Sequence, residues 1–176
     1  MITASRVRVL VTLLMLVGLG AAQTTLPVVV PLSNARVDLL LAAILYFAFN
    51  SPTVEGAFLS LCAGYLQDLH ASTPDFTHAF LAVLVFVIFR LVNAVLHVEG
   101  GWRAAAVAFA ATLAHVLLKA LLLDLVTTGP GEEGFLARAL GDALPYAALT
   151  ALVAPVVFRL LGGIEARWSS APQGIL

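Results

Sequence analysis

The chain has 176 residues, of which 61% are hydrophobic and 11% are charged, and its mean hydropathy is +1.04. A water-soluble domain of this length does not carry so apolar a composition, which indicates a polytopic membrane protein. The net charge of −1 argues against nucleic-acid binding, and the single Cys62 excludes an intrachain disulfide.

Six apolar stretches, each ended by charged residues, Pro or Gly, predict an all-α fold of about six transmembrane helices. The connecting loops are short and leave no room for a soluble domain, so residues 1–176 are expected to form a single membrane domain. The predicted spans are 7–26, 37–49, 53–69, 76–96, 102–126 and 143–161.

The first stretch resembles a secretory signal, because Arg6 and Arg8 precede an apolar run that ends in small residues. Five further stretches follow, so we interpret it as a retained helix that sets orientation. With six spans and an inside N-terminus, the inner ends carry six arginines and the outer loops carry two. The inner residues are Arg6, Arg8, Arg90, Arg103, Arg159 and Arg167, and the outer ones are Arg36 and Arg138. This asymmetry predicts that both termini are cytoplasmic.

The second stretch is too short to cross a bilayer unaided. At about 1.5 Å per residue, its residues cover roughly 20 Å of a hydrocarbon core that is roughly 30 Å thick. Neighbouring helices must shelter it, or the approach from Leu32 to Arg36 must extend it. Ser51, Pro52 and Glu55 supply a cap, a proline and an acid at the start of the next helix, so the second and third stretches are predicted to form a hairpin.

Small residues form a row at four-residue spacing on the third stretch: Gly56, Ser60 and Gly64, followed by Asp68. All four lie on one helix face, where small side chains allow another helix to approach closely. A carboxylate within a membrane helix is a candidate functional residue. The alternative is a solvated carboxylate near the end of the helix.

The predicted topology places Asp68 near the outer end of its helix, at a depth that the Lys119 side chain can reach. Asp68 with Lys119 is therefore the favoured intramembrane pair, and Arg36 and Asp124 are competing partners. In the simpler alternative, Arg36 and Asp124 are interfacial and Lys119 extends to water alone.

Other polar residues within the spans have simple explanations. His115 and Lys119 are four residues apart, which suggests a polar seam rather than a proton relay, because no acidic residue near mid-span continues the row. Arg90 lies in the inner half of its span and is expected to extend towards the inner surface. His70 and His78 flank an outer loop, which is a weak signal for a metal, and we expect no metal site.

Two further rows of small residues favour helix contacts: Ala106, Ala110 and Ala114 on the fifth stretch, and Ala143, Ala147 and Ala151 on the sixth. The two rows face one another within the chain, or one of them receives a helix of a partner, a second copy in a homodimer included.

The sequence contains no H-E-x-x-H, no G-x-S-x-G and no glycine-rich phosphate loop. We therefore expect a non-enzymatic membrane subunit without a cofactor. Two classes remain: a scaffold that binds another membrane protein, and a subunit that presents a small solute to a transport motor. The second class needs an outward-facing pocket, for which the candidate lining residues are Tyr46, Tyr65, His70 and Phe76.

The segment from Arg36 to Asp68 resembles the rod shape-determining protein MreD family. The resemblance lies in Val37-Asp38-Leu39-Leu40-Leu41, Tyr46, Glu55-Gly56-Ala57 and Gly64-Tyr65-Leu66-Gln67-Asp68-Leu69. The size of the chain, its span number and its inside N-terminus also agree with that family. The resemblance adds Asp38 to Asp68, Lys119 and Arg36 as a partner-binding or structural polar anchor.

The resemblance implies a non-catalytic subunit of the bacterial cell-elongation machinery in the inner membrane. Such a subunit binds an MreC-like single-span protein and helps to link MreB filaments to the peptidoglycan synthase RodA and its transpeptidase. It also implies a fold similar to that of the substrate-binding subunits of energy-coupling-factor transporters. A vitamin or small-solute transporter of that type is therefore the alternative function.

Overall fold

The computed structural model describes residues 4–29, 37–71, 76–96, 101–127 and 135–169. Every regular element in these ranges is a helix, which confirms the all-α prediction. The helices are α1 (Ala4–Val29), α2 (Leu39–Asn50), α3 (Thr53–Asp68), α4 (Thr77–Leu96), α5 (Gly101–Thr127) and α6 (Phe135–Ser169). Four of them, α1, α4, α5 and α6, are long and apolar enough to cross a membrane, as a multi-pass membrane protein requires.

Helix bounds follow the apolar stretches closely except in α6. This helix begins at Phe135 rather than near Ala143, and it ends at Ser169 rather than at Leu161. Charged residues and glycines, such as Arg138, Asp142 and Gly162, interrupt the apolar run, whereas the hydrogen-bonded backbone continues through them. The helix therefore extends beyond the predicted span at both of its ends.

The short helix α2 occupies the centre of the bundle. All its residues from Leu39 to Ala48 are buried, and α2 contacts every other helix. Its sequence carries no charged residue, as expected of a helix without a solvent-facing side. Of the two alternatives considered for this stretch, the structure shows shelter by neighbouring helices; Arg36 lies outside the described residues.

The other helices pack around α2 in two extensive pairs, α3 with α4 and α5 with α6. The α1 helix is peripheral and contacts α2, α3 and α6 through a buried face that carries Thr12, Leu16 and Gly20 at four-residue spacing. Its opposite face exposes Leu10 and Leu14. An exposed leucine face of this kind suits contact with lipid.

The bundle has two ends, which we name after residues of α2. At the Asp38 end, α2 begins and α3 finishes; at the Ser51 end, α2 finishes and turns into α3. The turn departs from the prediction in one respect, because Pro52 is the N-cap of α3 and no side chain caps that helix. The Ser51 hydroxyl bonds instead to Glu165 of α6, with an Oγ–Oε1 distance of 3.4 Å.

Candidate functional site

The first turn of α2 lies inside the bundle, so its backbone amides need partners from the protein. Asp38 is the N-cap residue, and its Oδ1 accepts a hydrogen bond from the Leu41 amide at 2.7 Å. Gln23 of α1 reaches the same turn, where its Oε1 accepts hydrogen bonds from the amides of Leu39 at 2.9 Å and Leu40 at 3.2 Å. Side chains of two different segments thus cap this buried helix end.

The Asp38 carboxylate also joins three helices. Gln67 of α3 donates to Oδ1 at 2.7 Å, and the Tyr146 hydroxyl of α6 donates to Oδ2 at 2.7 Å. The backbone amide of Asp38 donates to the Thr150 hydroxyl at 3.1 Å. Asp38 is only 3% exposed, and burial of a carboxylate is tolerable when several donors converge on it. Asp38 is therefore a structural anchor between α2, α3 and α6.

Two further buried polar atoms belong to the Asp38 end. Gln67 Oε1 and His115 Nδ1 are both buried and have no hydrogen-bond partner among the described residues. His115 is 3% exposed and interacts electrostatically with Asp38 and Lys119. The polar face expected on α5, which carries His115, therefore points into the bundle, towards Asp38.

Asp68 does not contact Lys119, so the predicted direct pair is wrong. Its Oδ1 accepts hydrogen bonds from the backbone amide of His78 at 2.8 Å and from the Nδ1 of that residue at 3.0 Å. At the opposite edge of the imidazole ring, His78 Nε2 lies 2.8 Å from Lys119 Nζ. A donating ammonium leaves Nε2 unprotonated, which places the ring proton on Nδ1, facing the carboxylate. The three side chains form the chain Asp68–His78–Lys119.

Asp68 also caps α4 from the end of α3. Its Oδ2 accepts a hydrogen bond from the Ala79 amide at 2.9 Å, so both carboxylate oxygens bind amides in the first turn of α4. The Asp68 side chain is only 8% exposed, which contradicts the solvated alternative. Just before α4, Phe76 has a φ of 63° and stacks on Tyr65 with ring centroids 6.3 Å apart. The Asp68 carboxylate, at the end of α3, therefore fixes the position of the first turn of α4.

The small-residue row of α3 faces other helices of the same chain. A Cβ atom built on Gly64 would lie 2.6 Å from Ala82 Cβ and 2.6 Å from the His78 carbonyl oxygen, both on α4. A Cβ on Gly56 would lie 2.7 Å from the Phe86 ring. Ser60, between them, is completely buried. Glycine is therefore required for the close approach of α3 and α4.

The two alanine rows do not face one another. Ala106 and Ala110 of α5 are exposed and Ala114 is half-buried. The buried residues of α5 in the described part of the chain are Ala104, Ala108, Ala111, Thr112, His115, Ala120 and Leu123. The row on α6 is buried along its length, at Ala143, Ala147 and Ala151. The α6 row therefore packs within the chain, whereas most of the α5 row lies on the outer surface.

A second polar cluster lies at the Ser51 end. Arg8 of α1 forms an ion pair with Glu55 in the first turn of α3. Glu165 of α6 accepts a hydrogen bond from the Tyr46 hydroxyl at 2.7 Å, in addition to the bond from Ser51. These contacts tie α1 and α6 to the α2–α3 turn. Tyr46 therefore lies at the end of the bundle opposite to Tyr65.

Arg90 caps the last turn of α2 rather than extending to the surface alone. Its Nη1 donates to the carbonyl oxygen of Ala48 at 3.3 Å and to that of Ser51. Asn93, one turn further along α4, donates to the Phe49 carbonyl oxygen at 3.3 Å. The final carbonyls of a helix have no partner within the helix, so a buried C-terminus needs such donors. Both ends of α2 are thus bonded by side chains from surrounding helices.

Sequence reasoning missed several residues of these clusters: Gln23, Gln67, Tyr146, Thr150 and Glu165. Their signal was the length of α2, because a helix shorter than the bilayer buries both ends and requires polar residues at matching depths on its neighbours. His70 lies just after α3, where its Nδ1 bonds the Leu66 carbonyl of that helix at 2.9 Å, and its side chain is exposed.

Of the two competing partners, Asp124 is half-buried on α5, and Arg36, which was also a predicted anchor, lies outside the described residues. Within the described ranges, no group of three or more His, Cys, Asp or Glu residues is arranged to hold a metal ion. Comparison of the chain with protein-family models, with curated proteins and with solved structures gives no match.

Proposed function

We propose that this chain is a non-catalytic scaffold subunit of the bacterial cell-elongation machinery, similar to MreD. It binds an MreC-like single-span protein and helps to link MreB filaments to RodA and its transpeptidase. The observation that carries the proposal is that the polar and small residues of the MreD-like segment join helices of the bundle. Asp38, Gln67 and Asp68 form hydrogen bonds between helices, and Gly56 and Gly64 pack closely against α4.

The polar residues of this segment support a scaffold rather than a catalyst. The Asp38 carboxylate bonds a backbone amide and two side chains, and Asp68 bonds two backbone amides and His78. Carboxylates committed to helix caps stabilise a fixed geometry and are poorly placed to exchange protons with a substrate. We therefore assign them to the rigidity of the surface that a membrane partner recognises.

In this proposal the chain crosses the inner membrane with all six helices and has both termini in the cytoplasm. The short α2 and α3 are the central crossing pair, sheltered by four long apolar helices. The excess of arginine at the Ser51 end, where Arg8 and Arg90 lie, favours this end as the cytoplasmic one. The Asp38 end then faces the periplasm.

Solute transport is the runner-up function, and the positions of four residues weigh against it. A solute pocket would require Tyr46, Tyr65, His70 and Phe76 to converge. Tyr46 instead bonds Glu165 at the Ser51 end, whereas Tyr65 and Phe76 stack on the surface near the Asp38 end and His70 is exposed. These residues do not form a shared pocket.

Depletion of the chain in a rod-shaped host separates the two functions. The scaffold proposal predicts that depleted cells widen and become round, and that a plasmid copy restores the rod shape. Supplying vitamins in excess should have no effect. Unchanged shape, with growth that becomes dependent on an added vitamin, would overturn the scaffold proposal in favour of transport.

A further inference from the structure

A pocket of about 400 Å³ lies at the Ser51 end, between the α2–α3 turn and the last turns of α4. Its lining residues include Asn50, Ser51, Pro52, Arg90, Asn93 and Ala94. The pocket is open to the surface and has polar and apolar walls. Among the described residues, its lining contains one cation and no carboxylate, so its chemistry favours an anion.

Arg90 retains donors that the protein does not use. Only its Nη1 bonds to α2, where both acceptors are backbone carbonyls. Its Nε and Nη2 have no partner among the described residues and are not buried. Of the described carboxylates at the Ser51 end, Glu55 pairs with Arg8 and Glu165 bonds Tyr46 and Ser51. No carboxylate in the described ranges pairs with Arg90, so it presents a positive charge with a fork of donors, which matches the geometry of a phosphate.

The surroundings of the pocket indicate where the phosphate comes from. Val54, which follows the turn, is 85% exposed, and Val95, which follows Ala94, is 78% exposed. Exposed apolar residues beside a cationic pocket at a helix end suit a lipid, whose acyl chains cover the valines while its phosphate reaches the arginine. A zwitterionic headgroup would bring an ammonium towards Arg90, so an anionic headgroup is the better match.

We propose that this pocket binds the phosphate headgroup of an anionic phospholipid, with Arg90 as the phosphate ligand and Asn50 and Asn93 beside the glycerol. The site does not depend on the scaffold function. Only its assignment to the inner leaflet depends on the orientation proposed above.

The test compares retention of phosphatidylglycerol and of phosphatidylcholine by the purified full chain, measured by native mass spectrometry. We expect a preference of about tenfold for phosphatidylglycerol, as one charge-assisted hydrogen bond provides. Arg90→Gln should abolish the preference. Because Arg90 also caps α2, Ala94→Glu is the cleaner variant: it leaves the α2 contacts available and places a carboxylate one helical turn from Arg90, where it competes with the lipid.

Two variants serve as matched controls. Leu160→Glu adds the same charge at an exposed position of α6, a helix that contributes no residue to the pocket lining, and Arg103→Gln removes an exposed arginine from α5. Both should keep the preference. Equal retention of the two lipids, an unaffected Ala94→Glu variant, or an equal loss in the controls would overturn the site. If millimolar inorganic phosphate displaces phosphatidylglycerol from the pocket, the anion is soluble and the lipid assignment is wrong.

Discussion

Asp38 and Tyr146 are 108 positions apart in the chain, yet the Tyr146 hydroxyl donates a 2.7 Å hydrogen bond to Oδ2 of Asp38. This bond connects the first residue of the buried α2 hairpin to α6. Side chains of neighbouring helices bond both ends of α2 in the same way. Gln23 is one of those at the Asp38 end, and Arg90 is one of those at the Ser51 end. The position of α2 is therefore set by polar contacts as well as by apolar packing.

Removing the Tyr146 hydroxyl should destabilise the folded chain. Tyr146→Phe leaves one oxygen of a buried carboxylate without its donor, which costs about 1–3 kcal/mol. Thermal unfolding in detergent should show a lower midpoint. Tyr65→Phe is the matched control, because the Tyr65 side chain is 48% exposed and should tolerate the loss of its hydroxyl. Equal midpoints for the two variants would contradict the anchoring role of Asp38.

A single methyl group at Gly64 should separate α3 from α4. The added Cβ would lie 2.6 Å from Ala82 Cβ, and such overpacking costs about 1–3 kcal/mol. Gly64→Ala should therefore lower the thermal midpoint, and Gly64→Leu should lower it further. Gly18→Ala is the control, since nothing lies within 4 Å of its Cβ position and alanine favours the helix. An unchanged thermal midpoint for Gly64→Ala would contradict the close contact between α3 and α4.

Asp68 and Lys119 should be coupled through His78. Asp68→Asn and Lys119→Met, measured singly and together, should give stability losses that depart from additivity by about 0.5 kcal/mol or more. In a His78→Phe background the coupling should disappear, because the ring that contacts both residues no longer forms hydrogen bonds. Coupling that persists in this background would instead support a direct contact between the two charges.

The orientation of the chain can be tested with single cysteines in a Cys62→Ala background. Reporters at Ala4 and Ser170 should be protected from an impermeant thiol reagent in intact cells, whereas a reporter at Gly131 should react. Lysed cells provide the control, since all three positions should then be labelled. Labelling of Ala4 with protection of Gly131 would mean that the orientation is inverted.

The sequence was informative about helices and depth. Apolar stretches located α2 and α3 to within one or two residues, because hydropathy reports burial directly. Their predicted positions along the helices placed Asp68 and Lys119 at the same depth in the membrane. In the structure the imidazole ring of His78 lies between the two side chains. The predicted span 76–96 already contained His78, which is the second residue of α4, but its role as a bridge between the two charges was not predicted.

Partner choice within the bundle was beyond the sequence because it depends on how each helix is rotated. The row Ala106, Ala110, Ala114 has the same spacing as the row Ala143, Ala147, Ala151, yet most of the first lies on the surface and the second is buried. Spacing defines a face but not the direction in which it points. Arg90 was predicted only to extend towards the inner surface, and the bonds of its Nη1 to the carbonyls of α2 depend on the same helix rotation.

The central claim, that this chain is a scaffold for a membrane partner, is tested most directly by binding in lipid nanodiscs. A purified full-length MreC-like protein is titrated onto the full chain, and the bound fraction is measured by fluorescence anisotropy. The account predicts saturable binding, reduced in Gly64→Leu and retained in Gly18→Ala. Absence of saturable binding by the folded chain, together with saturable binding of a vitamin, would contradict it.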